Sequence, residues 1–183
     1  MLILKYFQYN SVVILSYFFI SLLILILSKF NKKFKSLFAS SRGNIFNPIT
    51  YIRMFTHVLG HDNFMHFRNN FIYILLIGPM IEEKYGSINL LKMILITAFL
   101  TALINIIFSN KKILGSSGIS FMLILLSSLV NIQSGKIPVT LILIFMFYVV
   151  SEIFEGIFKK DNISHISHII GAVSGIIFGY YFL

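Results

Sequence analysis

The stretch His165-Ile-Ser-His168-Ile-Ile-Gly171-Ala-Val-Ser-Gly175-Ile-Ile-Phe-Gly179-Tyr-Tyr-Phe-Leu183 decides how this chain must fold. It holds no Lys, Arg, Asp or Glu, and its length is close to the ~20 apolar residues a helix needs to cross a hydrocarbon core. At roughly 100° per residue, His168, Gly171, Gly175 and Gly179 fall on one face. Such a glycine groove lets a second helix approach closely. An ionisable group at its head, inside an apolar span, is a functional hypothesis by default. Gly118, on an earlier apolar segment, marks the expected partner.

The rest of the chain fits the same reading. Of its 183 residues 57% are hydrophobic and 11% charged, less than half of the roughly 25% charged content of a soluble domain. Mean hydropathy is +0.90. A water-soluble globule is excluded. Five further apolar segments precede the last, giving expected spans at about 11–27, 64–81, 88–108, 114–132, 138–158 and 165–183 in an all-α membrane protein of one domain. The first is read as a retained anchor, since Lys5 and Lys29 flank it and no small-residue cleavage site follows. Gly78-Pro79 is expected to break or end the second. Residues 28–63 form a long first loop whose interleaved lysines and aromatics suggest an amphipathic piece lying in the membrane interface. Ser134-Gly135-Lys136 before Pro138 predicts a tight turn, with Pro138 in the first turn of the next helix.

The net charge of +9 comes from cations between apolar runs, as in a protein beside anionic lipid, so membrane lipids are expected partners and nucleic acid is not. The chain has no cysteine, which removes disulfides, thiol nucleophiles and Cys-ligated metals. Lys29, Lys32, Lys33, Lys35, Arg42, Arg53, Lys111, Lys112, Lys159 and Lys160 lie on one side of the expected bundle, against Lys5, Lys84, Lys92 and Lys136 on the other. The positive-inside rule would turn the first side toward the cytoplasm.

Alternation of the spans brings three groups together. The second, fourth and sixth all start from the same side, and their first turns hold His66, Ser117 and His168. Helix N-termini there favour negative charge. Gly115-Ser116-Ser117-Gly118 flanks one serine with glycines, so backbone and substrate can approach closely and the serine N–H can serve as an oxyanion donor. A serine needs a base to become a nucleophile, and a glycine-lined contact would bring His168 to Ser117. Glu82 and Glu83 lie about 24 Å down the helix from His66, too far to orient that base, whereas Asp62 and Asp161 lie in loops on the same side as the base and stay open for that role. Phe121, on the Ser117 face, is the expected plate against the His168 ring, leaving a Ser–His dyad. His66 and Asn70, spaced i, i+4, can both donate hydrogen bonds to an oxyanion. The five histidines also permit a metal or ion permease as a competing reading, weakened by the lack of cysteine, of an HExxH motif and of any inverted repeat. No metal site and no cofactor are expected.

Taken in order, Arg53 with Phe55-Thr56-His57, His61, His66-Phe-Arg-Asn-Asn70, Glu82-Glu-Lys-Tyr-Gly86-Ser, GSSG at 115–118 and HxxGxxxG at 168–175 resemble a rhomboid intramembrane serine protease of the bacterial type. The resemblance covers about residues 50–183, and the first span fits the family's first helix. It implies a single six-helix rhomboid domain over 1–183 without an added soluble domain, with a half-submerged first loop. It implies Ser117 as nucleophile, His168 as general base and acid, and His66, Asn70 and the Ser117 amide as oxyanion donors. It assigns His61 and Arg53 to support near the site and Glu82 to a buried polar network at the opposite end. Gly115, Gly118, Gly171 and Gly175 are its packing and loop glycines. The substrates implied are single-pass transmembrane proteins, cut near the outer end of the span at small residues. Ile52 stands where bacterial members often carry Trp, and Phe121 where Tyr is frequent. A multi-pass protein of a bacterial cytoplasmic membrane, with its site toward the non-cytoplasmic face, is the expectation, because an interfacial loop can hold lysines at lipid without being cytoplasmic. A rhomboid-like pseudoprotease that binds membrane clients is the alternative.

Overall fold

The structure is a computed structural model, describing residues 10–43, 46–109, 111–130, 136–150, 153–154 and 165–182. Its described residues are helical apart from connections and one isolated antiparallel bridge, Ser40 to Ile113. In chain order the helices are α1 (Val12–Phe30), α2 (Lys32–Ser36), α3 (Pro48–Thr56), α4 (Phe64–Tyr85), α5 (Ser87–Phe108), α6 (Ser117–Ser127), α7 (Val139–Ile144, continued by a π turn at Phe145–Val150) and α8 (His165–Tyr181). By length and composition α1 and α5 are each able to cross a membrane.

The helices arrange themselves by how much of their circumference is apolar. α6 is buried almost all round, from Gly118 to Ser120 and from Met122 to Leu126, so it becomes the central rod. It packs most extensively against α8, then against α4 and α5, and more lightly against α7. α1 instead buries a single stripe of Ile14, Tyr17, Ser21, Ile24, Leu25 and Ser28. Its other face leaves Phe19, Leu23 and Ile26 about half exposed, the pattern of a helix whose remaining face meets lipid. α5 turns Thr97, Ala98, Thr101 and Ala102 inward, small residues that let neighbours come near.

The α6–α8 contact is built from absent side chains. A Cβ on Gly171 would overlap the Gly118 carbonyl, one on Gly175 the Met122 carbonyl, and one on Gly179 the Leu129 side chain. The residues His168 shares a face with are thus the ones that lie against α6.

Three expectations need correcting. α4 does not break at Gly78-Pro79 but runs on to Tyr85. Tertiary contacts hold it through the proline: Gly78 lies under the Ile14 side chain, and Glu82, one turn on, is tied to α1. The fourth span yields a shorter helix, Ser117–Ser127 rather than 114–132, because residues 111–116 form a loop and Ser116 is the N-cap. Pro138 is the N-cap of α7 rather than part of its first turn. The expected turn at Ser134-Gly135 and the end of the fifth span beyond Phe154 lie outside the described residues.

Glu82 fastens the end of the bundle remote from His66. Its carboxylate accepts the Val13 and Ile14 N–H groups at 2.9 and 3.0 Å and the Ser87 hydroxyl at 2.7 Å. A buried negative charge there satisfies free N–H groups of the first turn of α1 and complements its dipole. Glu82→Gln places an amide NH2 against those donors. We expect a loss of about 2 kcal/mol, on the scale of hydrogen bonds to charged groups, read as a lowered Tm in detergent.

Candidate active site

Each polar group of the site is placed by a local feature of the sequence. Asn63 caps α4, its side chain accepting the His66 N–H at 2.9 Å, so His66 begins the helix and Asn70 follows one turn later on the same side. Gly115 has φ +121°, a backbone state that favours glycine, and its N–H is held by the His57 carbonyl at 3.0 Å. That turn delivers Ser116 as the N-cap of α6 and Ser117 as its first residue.

His66, Gly115, Ser117, Gly118 and His168 line one cavity of about 320 Å³. The three first-turn groups expected to converge do so. A methyl group on Gly115 would stand 2.7 Å from His66 Nε2 and 3.8 Å from Asn70 Nδ2, so both side chains point at the bare Cα two residues before Ser117. Asn70 is 7% exposed, and its Nδ2 is buried without a hydrogen-bond partner among the described residues. A buried donor left open is costly, which makes this amide ready for an incoming acceptor.

Phe121 stacks on the His168 ring, with centroids 4.5 Å apart and planes 7° from parallel. Tyr148 meets the edge of Phe121 at 6.0 Å, and His165 lies edge-on to His168 at 6.3 Å. The imidazole is 9% exposed, and the Phe121 plate fixes its plane.

The first loop is bolted to this site. His61 Nε2 lies 3.0 Å from Ser116 Oγ, and the Ser116 N–H points to it at 3.4 Å. His57 Nδ1 is 3.2 Å from the Met54 carbonyl, and Nε2 is 3.4 Å from Thr101 Oγ1. Burial pushes His57 down to about 4; it pushes His61 down to about 3, with the neighbouring His66 adding to the effect. At neutral pH both rings are therefore uncharged, fit to be structural hydrogen-bond partners. Arg42 donates to the Ile106 and Ile107 carbonyls at 3.0 and 2.8 Å, closing the C-terminus of α5. The Ser40–Ile113 bridge ties the strand of loop leading to Gly115.

Arg53, near the end of α3, lines a neighbouring cavity that shares Asp62, Lys112 and Leu114 with that of Ser117. Sequence reading passed over Thr101, Ser167 and Lys112, which also line the Ser117 cavity. The single hint for Thr101 was a polar residue inside an apolar span. Among the described residues no three His, Asp or Glu side chains come close enough to hold a metal ion. Asp161 lies outside the described residues.

A helical bundle with apolar outer faces and a cavity lined by serine and histidine at its helix starts has the make-up of a membrane protein with an internal polar site. Comparison with protein families agrees: the family model described as Rhomboid domain matches residues 48–183. The chain therefore belongs to the rhomboid family, intramembrane serine proteases among which some members are inactive. No curated protein matches it.

Proposed function

We propose that this chain is an active intramembrane serine endopeptidase, with Ser117 as nucleophile and His168 as its base. The observation that carries the reading is the common cavity of His66, Ser117 and His168. Each group has a task there. The Ser117 hydroxyl adds to the scissile carbonyl carbon while His168 takes its proton. The negative charge that develops on the carbonyl oxygen is met by the His66 ring N–H, the Asn70 amide and the Ser117 N–H. The C–N bond breaks as His168 returns the proton to the leaving amine. Water then adds to the acyl-enzyme with His168 again as base, releasing the new carboxyl terminus.

Substrates are single-pass transmembrane proteins, cut near the end of their span, where the helix unwinds most readily. A peptide bond inside a helix is shielded, and its freed backbone groups are expensive in lipid. Water reaches Ser117 from the polar side, on which Asp62, Asn63 and Lys112 line the same cavity. The protein spans the membrane six times, with this side facing away from the cytoplasm, and the basic first loop rests on lipid headgroups.

A fluorophosphonate probe added to the purified protein tests the assignment. Labelling should occur in the native chain and disappear in Ser117→Ala. Folded native protein that takes up no label would instead be a client-binding pseudoprotease.

A further inference from the structure

A second cavity, of about 520 Å³, adjoins the Ser117 cavity and shares Asp62, Lys112 and Leu114 with it. Neither the dyad nor the oxyanion donors use it. Among the described residues its lining carries three cations, Lys35, Arg53 and Lys112, against one carboxylate, Asp62. Lys35 is already paired, its Nζ 2.7 Å from Asp62 Oδ1 and 3.1 Å from the Asp62 carbonyl. Arg53 and Lys112 are left as two positive charges with no ion pair among the described residues. Arg53 Nε is moreover buried without a hydrogen-bond partner there, a cost that an arriving acceptor would remove.

We propose that this cavity is a substrate subsite, taking the carboxylate of an Asp or Glu side chain that flanks the bond cut at Ser117. The inference rests on the Ser117 reading above. Continuity favours a peptide as the occupant. An extended chain lying across Ser117 and leaving past Lys112 and Leu114 enters the second cavity, and at ~3.3 Å per residue it does so within a few residues. The guanidinium of Arg53 is a planar fork that suits a carboxylate, and Lys112, on the wall common to both cavities, adds charge. The subsite thus selects among transmembrane proteins by the charge of the segment bordering the span.

The test uses purified full-length protein in vesicles of neutral phosphatidylcholine, and again in vesicles with graded amounts of an anionic phospholipid. A single-pass model substrate carries Asp, Asn or Lys in turn at each position within about four residues of the cleaved bond. At one position, or two adjacent ones, Asp should be cleaved about tenfold more efficiently than Asn, mainly through KM, and Lys less well than Asn. The preference should shrink as salt rises. Lys112→Glu should abolish or invert it, and Arg53→Lys should weaken it, each read as the ratio of Asp to Asn cleavage by the same variant, so that a general loss of activity cancels. The proposal is overturned if no position prefers an acid although Ser117 labels normally, or if Lys112→Glu slows Asp and Asn substrates alike. It is also overturned if cleavage follows the anionic lipid content of the vesicles rather than substrate charge, in which case a lipid phosphate fills the cavity. Absence of both labelling and cleavage in the native chain points to a different failure, that of the Ser117 assignment, and the subsite falls with it.

Discussion

Protein carrying His168→Ala should cleave a model transmembrane substrate slower by about 10⁴-fold or more, the scale of losing the base of a serine nucleophile. Its thermal stability should change far less. His168 is held by a stacked Phe121 ring and lines the cavity beside Ser117, so its removal deletes the proton acceptor and leaves the α6–α8 backbone contact intact. What activity remains would come from the oxyanion donors and from substrate positioning. The stack supplies an intermediate case. Phe121→Leu keeps an apolar side chain but loses the flat face, so the imidazole is free to rotate and kcat should fall about tenfold, with little change in KM. Cleavage rates in vesicles, measured alongside Tm, separate these outcomes. A His168→Ala protein that cleaves at the native rate would leave Ser117 without a base and dismiss the dyad.

Gly171→Ala should be among the most damaging single substitutions in the chain. The added methyl group would fall on the Gly118 carbonyl, which is backbone and cannot swing aside. α8 must then move away from α6. Overpacking costs about 1–3 kcal/mol, and more where backbone is struck, and a displacement of about 1 Å at reacting groups is enough to lose about 10²-fold in rate. Both stability and cleavage should fall together. Gly86→Ala is the matching control. Gly86, unlike Gly171, has positive φ, +81°, but a Cβ there meets nothing within 4 Å, so its cost is conformational strain alone, about 1–2 kcal/mol, with catalysis spared. Gly118→Ala lies between, since its Cβ would stand 3.1 Å from the Ser167 carbonyl and from Thr101 Cγ2. A thermal-shift series over the three ranks them; equal effects at Gly171 and Gly86 would mean that the helices do not touch where these contacts put them.

Much of this was legible beforehand for one reason. Membrane helices show their contact faces in single residues, because a glycine stripe and an isolated polar group are both rare in apolar spans. His168 and Gly171 therefore announced the α8 face, and Ser117 with Phe121 the face of α6 that meets it. The convergence of His66, Ser117 and His168 followed from counting alternate spans. Other features had no such mark. Pro79 read as a helix stop on local grounds, and contacts from Ile14 and through Glu82 to α1 overrode it. Arg53 sits four residues before His57 in sequence, yet α3 turns it into a different cavity. Thr101 and Lys112 reach the Ser117 cavity only because α5 and the loop after it fold back beside the His57 turn.

By itself the sequence determined that the chain is a set of apolar helices, which of their faces must meet, and which polar residues stand at the starts of α4, α6 and α8. Those properties are fixed by periodicity and by the expense of unsatisfied groups in lipid, both local quantities. The tertiary structure alone decided how the first loop is fastened to Ser116 and Gly115, how α4 survives its proline, and that a cationic cavity opens beside the serine. Each of these depends on contacts between residues dozens of positions apart, and no local pattern encodes the direction in which a loop returns.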